Sequence, residues 1–174
     1  RHLRRGGSLL TPGLVGGARG AHPPRLVRGL VGWVAAVLLS IRIHELGHAL
    51  TMRNFGDPRV GIVLYAFGGL AQGSRHRTRH QDLLITAAGP GLQILVGLVV
   101  GCAITLWPPT SPWLHQMLDG FTVVSIFWAL LNLVPVLPLD GGRLCQAYLG
   151  PNKQRLVLTI SLISCVALAL LSFE

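Results

Sequence analysis

The chain contains few acidic side chains. Six of its 174 residues are Asp or Glu, against fifteen Lys or Arg, and the only two glutamates are Glu45 and Glu174. Charged residues of both signs make up 12% of the chain, whereas 51% of the residues are hydrophobic. A typical soluble domain has about 25% charged residues. The composition therefore excludes an ordinary soluble domain and predicts a membrane protein.

Cysteine is also scarce. The three cysteines, Cys102, Cys145 and Cys165, are an odd number and have no C-x-x-C spacing. This set does not support a disulfide framework, and we interpret all three as buried thiols. Cys145 lies close to a candidate site residue described below, so a role for it at that site stays open.

Long apolar runs define the organisation of the chain. A membrane-spanning helix needs about 20 mostly apolar residues, and four runs meet this requirement, at residues 30–50, 83–107, 121–139 and 156–173. A shorter run at residues 60–71 is rich in β-formers and paired glycines, which suits a β-hairpin or a re-entrant segment. The sequence predicts an all-α membrane protein with about four transmembrane helices and this short segment after the first. Residues 29–174 form the core, and residues 1–28 form a basic, Gly/Pro/Arg-rich segment that is disordered or peripheral.

The net charge of +9 does not indicate a nucleic-acid partner, because the basic residues flank the apolar spans. Positive residues in short loops mark the cytoplasmic face of a membrane. The loops before the second and fourth spans lie on one face and are basic, whereas the loop at residues 108–116 on the other face has no Lys or Arg. These loops predict an integral, multi-pass protein with its candidate site toward the cytoplasm. The arginines of residues 1–28 contradict that orientation if nothing precedes the first span.

The first span carries the sequence His44-Glu45-Leu46-Gly47-His48. Ionisable groups inside hydrocarbon are costly, and they usually have a functional role. On a helix, His44 and His48 lie one turn apart on the same face and can bind one zinc ion. Glu45 is then near enough to accept a proton from the attacking water without being a ligand.

A catalytic zinc site usually has a third protein ligand, and Asp140 is the strongest candidate. It follows Pro135 and Pro138, which interrupt the third span, and precedes two glycines. Broken helix at membrane depth is tolerated only against protein or a water-filled cavity. If four spans alternate, Asp140 comes to a depth similar to that of His44 and His48. The alternative is that Asp140 is only a turn residue at a helix end.

The segment from His44 to His48 and the segment from Asn132 to Gly142, which contains both prolines, Asp140 and the two glycines, together resemble the paired signatures of the site-2 protease family of intramembrane zinc metalloproteases. The resemblance covers residues 30–149 and extends to Phe67-Gly68-Gly69 and Ala88-Gly89-Pro90. It implies one zinc ion per chain bound by His44, His48 and Asp140, with Glu45 as general base and acid and Asn132 as a catalytic residue that holds or polarises the substrate. Many relatives have Asn where this chain has Gln93, which puts one contact near the site in doubt. The short loops leave no room for an inserted PDZ domain, so a compact member is expected.

The expected activity is zinc-dependent endopeptidase cleavage of transmembrane segments in membrane-tethered substrates, within the lipid bilayer. Asn132 instead satisfies the backbone broken by Pro135 in the alternative interpretation. Residues 60–71 either pair with an unwound substrate as an edge strand or only pack the first two spans together. Two other functions stay open: a catalytically silent protein that binds client helices, and a metal transporter. The sequence does not indicate an oligomeric state.

Overall fold

The computed structural model describes residues 23–57, 61–65, 68–72 and 77–172. These described residues form five successive α-helices, with a two-stranded antiparallel hairpin between the first two. The elements are α1 (Pro23–Asn54), β1 (Gly61–Tyr65), β2 (Gly68–Gln72), α2 (Arg79–Leu106), α3 (Pro112–Asn132), α4 (Asp140–Leu149) and α5 (Gln154–Leu171), and a short 3₁₀ turn (Pro151–Lys153) precedes α5.

Four helices in the described part of the chain, α1, α2, α3 and α5, are long and apolar enough to cross a membrane. Large apolar side chains on their outer faces are exposed: Leu106 is 66% exposed, Phe127 63% and Leu162 66%. Exposure of this kind is costly in water but not against lipid tails, which are as apolar as these side chains. The chain is an integral, multi-pass membrane protein with the predicted all-α architecture.

Glycines allow α1 and α2 to pack closely. A Cβ atom added at Gly47 would lie 2.4 Å from the carbonyl oxygen of Ala88, so no larger residue fits without moving a backbone. Close approach of small residues is a usual way for membrane helices to associate. The α1–α2 interface carries most of the candidate site.

The third span ends earlier than predicted. We expected it to continue to residue 139, but α3 ends at Asn132 and the chain is irregular from residue 133 to residue 139. Pro135 and Pro138 account for this break because proline lacks a backbone N–H and clashes with the preceding helical turn. The short helix α4, which the sequence analysis did not predict, then begins at Asp140.

Two other expectations change. Cys102 and Cys165 are exposed and Cys145 is half-buried, so the interpretation of all three as buried thiols was wrong. Cys102 and Cys165 lie on membrane-spanning helices, whose outer faces a membrane would cover. The helix α1 begins at Pro23, so the last part of the segment predicted to be disordered or peripheral is helical. Residues 1–22 lie outside the described part of the chain.

The run predicted to be strand-like forms the hairpin β1–β2, in which Ile62 pairs with Ala71 and Leu64 pairs with Gly69. Both strands lie against α1, and β2 makes the more extensive contact. The hairpin therefore packs beside the helix that carries His44 and His48. Whether it dips into the membrane stays a prediction.

Candidate metal centre

His44 and His48 lie on the inner face of α1, where they are only 6% exposed each. They precede the end of the helix at Asn54 by ten and six residues, which at 1.5 Å per residue is about 15 Å and 9 Å. Their rings contact edge to face, with centroids 4.8 Å apart. The helical spacing thus places the two imidazoles together, about 9–15 Å along α1 from its last residue.

Asp140 is the first residue of α4 and is also buried, at 6% exposed. A carboxylate at this position is stabilised by the positive end of the helix dipole. Gly141 and Gly142 let the start of α4 pack against the irregular segment, because a Cβ on Gly141 would lie 2.2 Å from the Leu133 carbonyl oxygen. The Gly-Gly pair is therefore required by the packing that brings Asp140 to the site.

Three potential ligand atoms converge. His44 Nε2 lies 2.9 Å from Asp140 Oδ2, His48 Nε2 lies 3.4 Å from the same oxygen, and the two Nε2 atoms are 3.1 Å apart. Ligands about 2.0–2.2 Å from a tetrahedral zinc ion are separated by about 3.3 Å. Among the described residues, the ligand atoms of His44, His48 and Asp140 lie close enough together to hold one metal ion.

Hydrogen bonds to the far side of each imidazole define its tautomer. His44 Nδ1 donates to the side-chain oxygen of Gln93 at 2.8 Å, and His48 Nδ1 donates to the carbonyl of Ile85 at 2.7 Å. Because both partners are carbonyl oxygens, the proton of each neutral ring is on Nδ1. Both Nε2 atoms therefore present lone pairs toward Asp140, which is the orientation that metal-binding histidines need.

This arrangement fits a cation. Asp140 Oδ2 is buried and has no hydrogen-bond donor among the described residues, although two Nε2 atoms lie beside it. Three lone-pair acceptors pointing at one another are unfavourable without a positive charge between them. Two nitrogens and one carboxylate oxygen are also the donor set of His₂–carboxylate zinc sites. The donor set and the geometry both suit zinc.

Glu45 and Asn132 differ in their relation to this cluster. Glu45 follows His44 on α1 and is 4% exposed, and its Oε2 has no hydrogen-bond partner among the described residues. Asn132 is half-buried at the end of α3. Within the described residues, it makes no side-chain hydrogen bond to the histidines, to Asp140 or to the backbone broken by Pro135. The structure therefore brings together His44, Glu45, His48 and Asp140, whereas Asn132 makes no hydrogen bond to them among the described residues.

The residues that hold the imidazoles were not predicted from the sequence. The expectation that Gln93 puts a contact near the site in doubt was wrong, because Gln93 is fully buried and bonded to His44. Gln93 also donates to Ser40 Oγ at 2.7 Å, and Ser40 Oγ lies 3.0 Å from Ser125 Oγ. A signal was available, because Ser40 is a polar residue one turn before His44 on the same face of an apolar helix.

The comparisons with known proteins agree with this geometry. The proposed zinc metalloprotease Rip3 of Mycobacterium tuberculosis is 35% identical over 147 residues, which cover 82% of this chain and 36% of Rip3. The zinc metalloprotease MJ0392 of Methanocaldococcus jannaschii is 25% identical, over 72% of this chain and 37% of its own length. Stage IV sporulation protein FB of Bacillus subtilis is 29% identical, over 82% of this chain and 51% of its own length. No family model matches the chain.

A solved structure supports the fold. The site-2 protease from Methanocaldococcus jannaschii superposes with a TM-score of 0.55 at 22% identity, over 71% of this chain and 64% of that one. Fold and site define an integral membrane protein with an H-E-x-x-H metal centre inside its helix bundle. The relatives narrow this class, and together with the solved structure they support the site-2 protease family for this chain. It spans about a third of the length of Rip3 and MJ0392.

Proposed function

We propose that this chain is the catalytic core of a zinc-dependent endopeptidase that cleaves transmembrane segments of membrane-tethered substrates. The observation that carries the proposal is the convergence of His44 Nε2, His48 Nε2 and Asp140 Oδ2 inside the bundle, with Glu45 next to His44. Relatives whose names describe zinc metalloproteases add support.

The proposed chemistry divides between the metal and Glu45. Zinc, when bound by His44, His48 and Asp140, supplies a Lewis acid that polarises the peptide carbonyl and acidifies water. The buried carboxylate of Glu45 accepts the proton of the attacking water and later returns it to the departing amine. Its Oε2 is free of hydrogen bonds to other described residues, so this oxygen is available to hold that proton.

Asn132 is proposed to hold the substrate. Its amide makes no hydrogen bond within the described part of the chain, so it does not satisfy the backbone broken by Pro135, and it is available to donate to a substrate carbonyl or to the developing oxyanion. Replacing Asn132 with Asp removes the amide donor at nearly constant size. We expect slower cleavage with unchanged zinc content, measured on the same purified samples.

The hairpin is proposed to bind an unwound substrate segment. Among the described residues its sheet has two strands, so each of these strands has an outer edge on which a substrate can pair its backbone. A substrate peptide with single N-methyl groups near the cleaved bond loses one donor at a time. We expect the KM of such peptides to rise at alternate positions, whereas a substrate that does not bind as a strand shows no such alternation.

The experiment that tests the activity compares the wild type with Glu45→Gln, His44→Ala and Asp140→Ala, purified and assayed for zinc content and for cleavage of membrane-spanning peptides. We expect one zinc ion per chain in the wild type and in Glu45→Gln, and loss of zinc from the other two variants. Cleavage by Glu45→Gln should fall at least about 100-fold, because general acid–base catalysis contributes about that much or more.

Two results would contradict the proposal. Asp140→Ala that keeps zinc at unchanged affinity would remove the third ligand. A Glu45→Gln variant that turns over substrate as fast as the wild type would remove the general base. A wild type that binds zinc and client helices but does not cleave them, and whose binding is unchanged by Glu45→Gln, would instead favour the catalytically silent alternative.

The site is proposed to open toward the cytoplasm. The parts of the chain that connect the spans at the end of the bundle nearer the site are basic. Arg75 and Arg77 precede α2 in the sequence and Arg79 is its first residue, whereas Arg143 lies on α4, Lys153 in the 3₁₀ turn and Arg155 near the start of α5. In a variant without native cysteines, Asn152→Cys is expected to resist an impermeable thiol reagent applied from outside intact cells, and Thr110→Cys to react with it. The reverse pattern would place the site on the outer face and agree with the arginines of residues 1–28.

A further inference from the structure

We propose that Gln93 is a positioning residue that fixes the ring of His44 for metal binding. This inference rests on the proposed zinc site. The side chain of Gln93 is fully buried between α1 and α2. Its two polar atoms make different contacts on α1: the oxygen accepts from His44 Nδ1 at 2.8 Å, and the nitrogen donates to Ser40 Oγ at 2.7 Å. One amide therefore joins two residues that are one helical turn apart.

The contact with Ser40 supports one orientation of the amide, in which the oxygen faces His44 and the nitrogen faces Ser40. A primary amide can rotate by 180° and present its nitrogen where its oxygen was. With Ser40 accepting from the nitrogen, the oxygen faces His44 and can only accept, so the imidazole proton stays on Nδ1 and Nε2 is free to bind a cation. An amide turned the other way would favour the opposite tautomer and direct the proton toward the metal.

The network continues to a third helix. Because Ser40 Oγ accepts from Gln93, its own hydroxyl proton is available for Ser125 Oγ on α3, 3.0 Å away, and both serines are fully buried. A continuous chain of hydrogen bonds thus joins His44, Gln93, Ser40 and Ser125. A buried network in which each group has a partner holds its members in one arrangement.

The length of the side chain matters in this geometry. Asn at position 93 is one methylene shorter and cannot reach both Ser40 and His44 across the same interface. Glu has the reach of Gln, and a carboxylate accepts from imidazole Nδ1 as well as an amide oxygen does or better. Met has a similar volume but neither donates like an amide nor accepts strongly. These three substitutions separate reach, acceptor strength and packing.

The test measures zinc affinity of the purified full chain by competition with a chromophoric chelator, together with the visible spectrum of the Co²⁺-substituted protein. We expect Gln93→Met to bind zinc about 10–100-fold more weakly and to show an altered Co²⁺ spectrum, because loss of a hydrogen bond behind a metal ligand has about that effect. Gln93→Asn should also bind more weakly than the wild type, and Gln93→Glu should restore affinity close to the wild-type value.

Two controls distinguish positioning from general packing. Ile104→Ala removes a buried side chain elsewhere on α2, so it should lower thermal stability without changing zinc affinity. Ser40→Ala keeps Gln93 but lets its amide turn, so it should weaken zinc binding less than Gln93→Met does. The double variant should be no weaker than Gln93→Met alone, because both changes act through one network. Ser40→Ala also gives a readout if Gln93→Met does not fold.

Two outcomes would overturn the inference. One is unchanged zinc affinity in Gln93→Met while His44→Ala loses zinc, which leaves the zinc site standing and removes Gln93 from it. The other is equal weakening by Gln93→Met and Ile104→Ala, which would show a packing effect. Failure of the proposed function looks different, because the wild type itself would then bind no zinc.

Discussion

Gly89 shows how closely α2 approaches the metal ligands. A Cβ atom at this position would lie 2.2 Å from His48 Nε2 and 2.4 Å from Cε1. The ring cannot move away easily, because its Nδ1 is bonded to Ile85. We expect Gly89→Ala to lower zinc affinity by about tenfold or more, the range seen when the support of a metal ligand is disturbed. Chelator competition on the purified variant measures this.

Gly91 provides the matched control, because it lies two residues along the same helix and an added Cβ would meet no atom within 4 Å. Gly91→Ala should leave zinc affinity unchanged, and it should raise the stability of α2 by up to about 1 kcal/mol through helix propensity. Equal losses of zinc affinity in both alanine variants would show that the space around His48 is not the cause.

At the residue scale, spacing predicted which side chains the structure brings together. The turn between His44 and His48 is a property of the helix, so their proximity follows from the sequence. The hydrogen-bond partners of the two rings, Gln93 and Ile85, cannot be predicted from spacing because they lie on α2. Whether they reach the rings depends on how closely α2 approaches α1 at Gly47. Ser40, which is bonded to Gln93 and not to either ring, was visible in the sequence as a polar residue on the same face of α1.

At the scale of elements, a hydrogen bond from α5 holds the irregular segment between α3 and α4. The N–H of Leu137 donates to Ser161 Oγ at 2.9 Å. Replacing Ser161 with Ala leaves this partly buried N–H without its acceptor, which costs about 1–2 kcal/mol. We expect a lower thermal midpoint for Ser161→Ala. Ser164→Ala is the control, because Ser164 makes no side-chain hydrogen bond within the described residues, and an equal fall in both variants would contradict the assignment.

The far end of α4 is held by Arg79, at the start of α2. Its guanidinium donates to the carbonyls of Ala147 and Tyr148 in the last turn of α4, where a positive charge also complements the helix dipole. We expect Arg79→Ala to destabilise the fold by about 1 kcal/mol, seen in thermal unfolding, and Arg79→Lys to retain part of this. Arg155→Ala, which removes an exposed arginine without a side-chain hydrogen bond to the described residues, should have little effect.

The sequence did not reveal α4 as a separate element because the helix has only ten residues and two glycines follow its first residue. The prolines at positions 135 and 138 were correctly taken as helix breakers, yet composition alone does not say where a broken span resumes. The packing of Gly141 against the carbonyl of Leu133 decides that position, and it depends on contacts between backbone segments that no periodic pattern records. This is why Asp140 was expected at the end of a span and lies instead at the start of a helix.

At the scale of the whole molecule, the four spans and the class of fold could be predicted because bilayer thickness sets the length of an apolar run. The association of the helices could not be predicted in the same way. In lipid there is no hydrophobic force between helices, so small residues and buried polar groups determine the contacts. Here these are Gly47 against Ala88 and the network from His44 to Ser125, and both depend on pairs distant in sequence.

The metal site also joins parts of the bundle that are otherwise connected indirectly. His44 and His48 belong to α1, whereas Asp140 belongs to α4, which packs mainly on α2 and α5. A ligand that binds only the folded state stabilises it by about 2.7 kcal/mol when its concentration is 100 times its Kd. Removing zinc with a chelator is therefore expected to lower the thermal midpoint of the wild type.

The same chelator should have little effect on Asp140→Ala, because this variant has already lost the zinc that links α1 and α4. Glu45→Gln should respond as the wild type does, since Glu45 is not a ligand. Thermal unfolding of the three proteins in one detergent, with and without chelator, makes the comparison. A chelator-induced shift of equal size in Asp140→Ala and the wild type would mean that the stabilising ion binds elsewhere, and that α4 is held to α1 by packing alone.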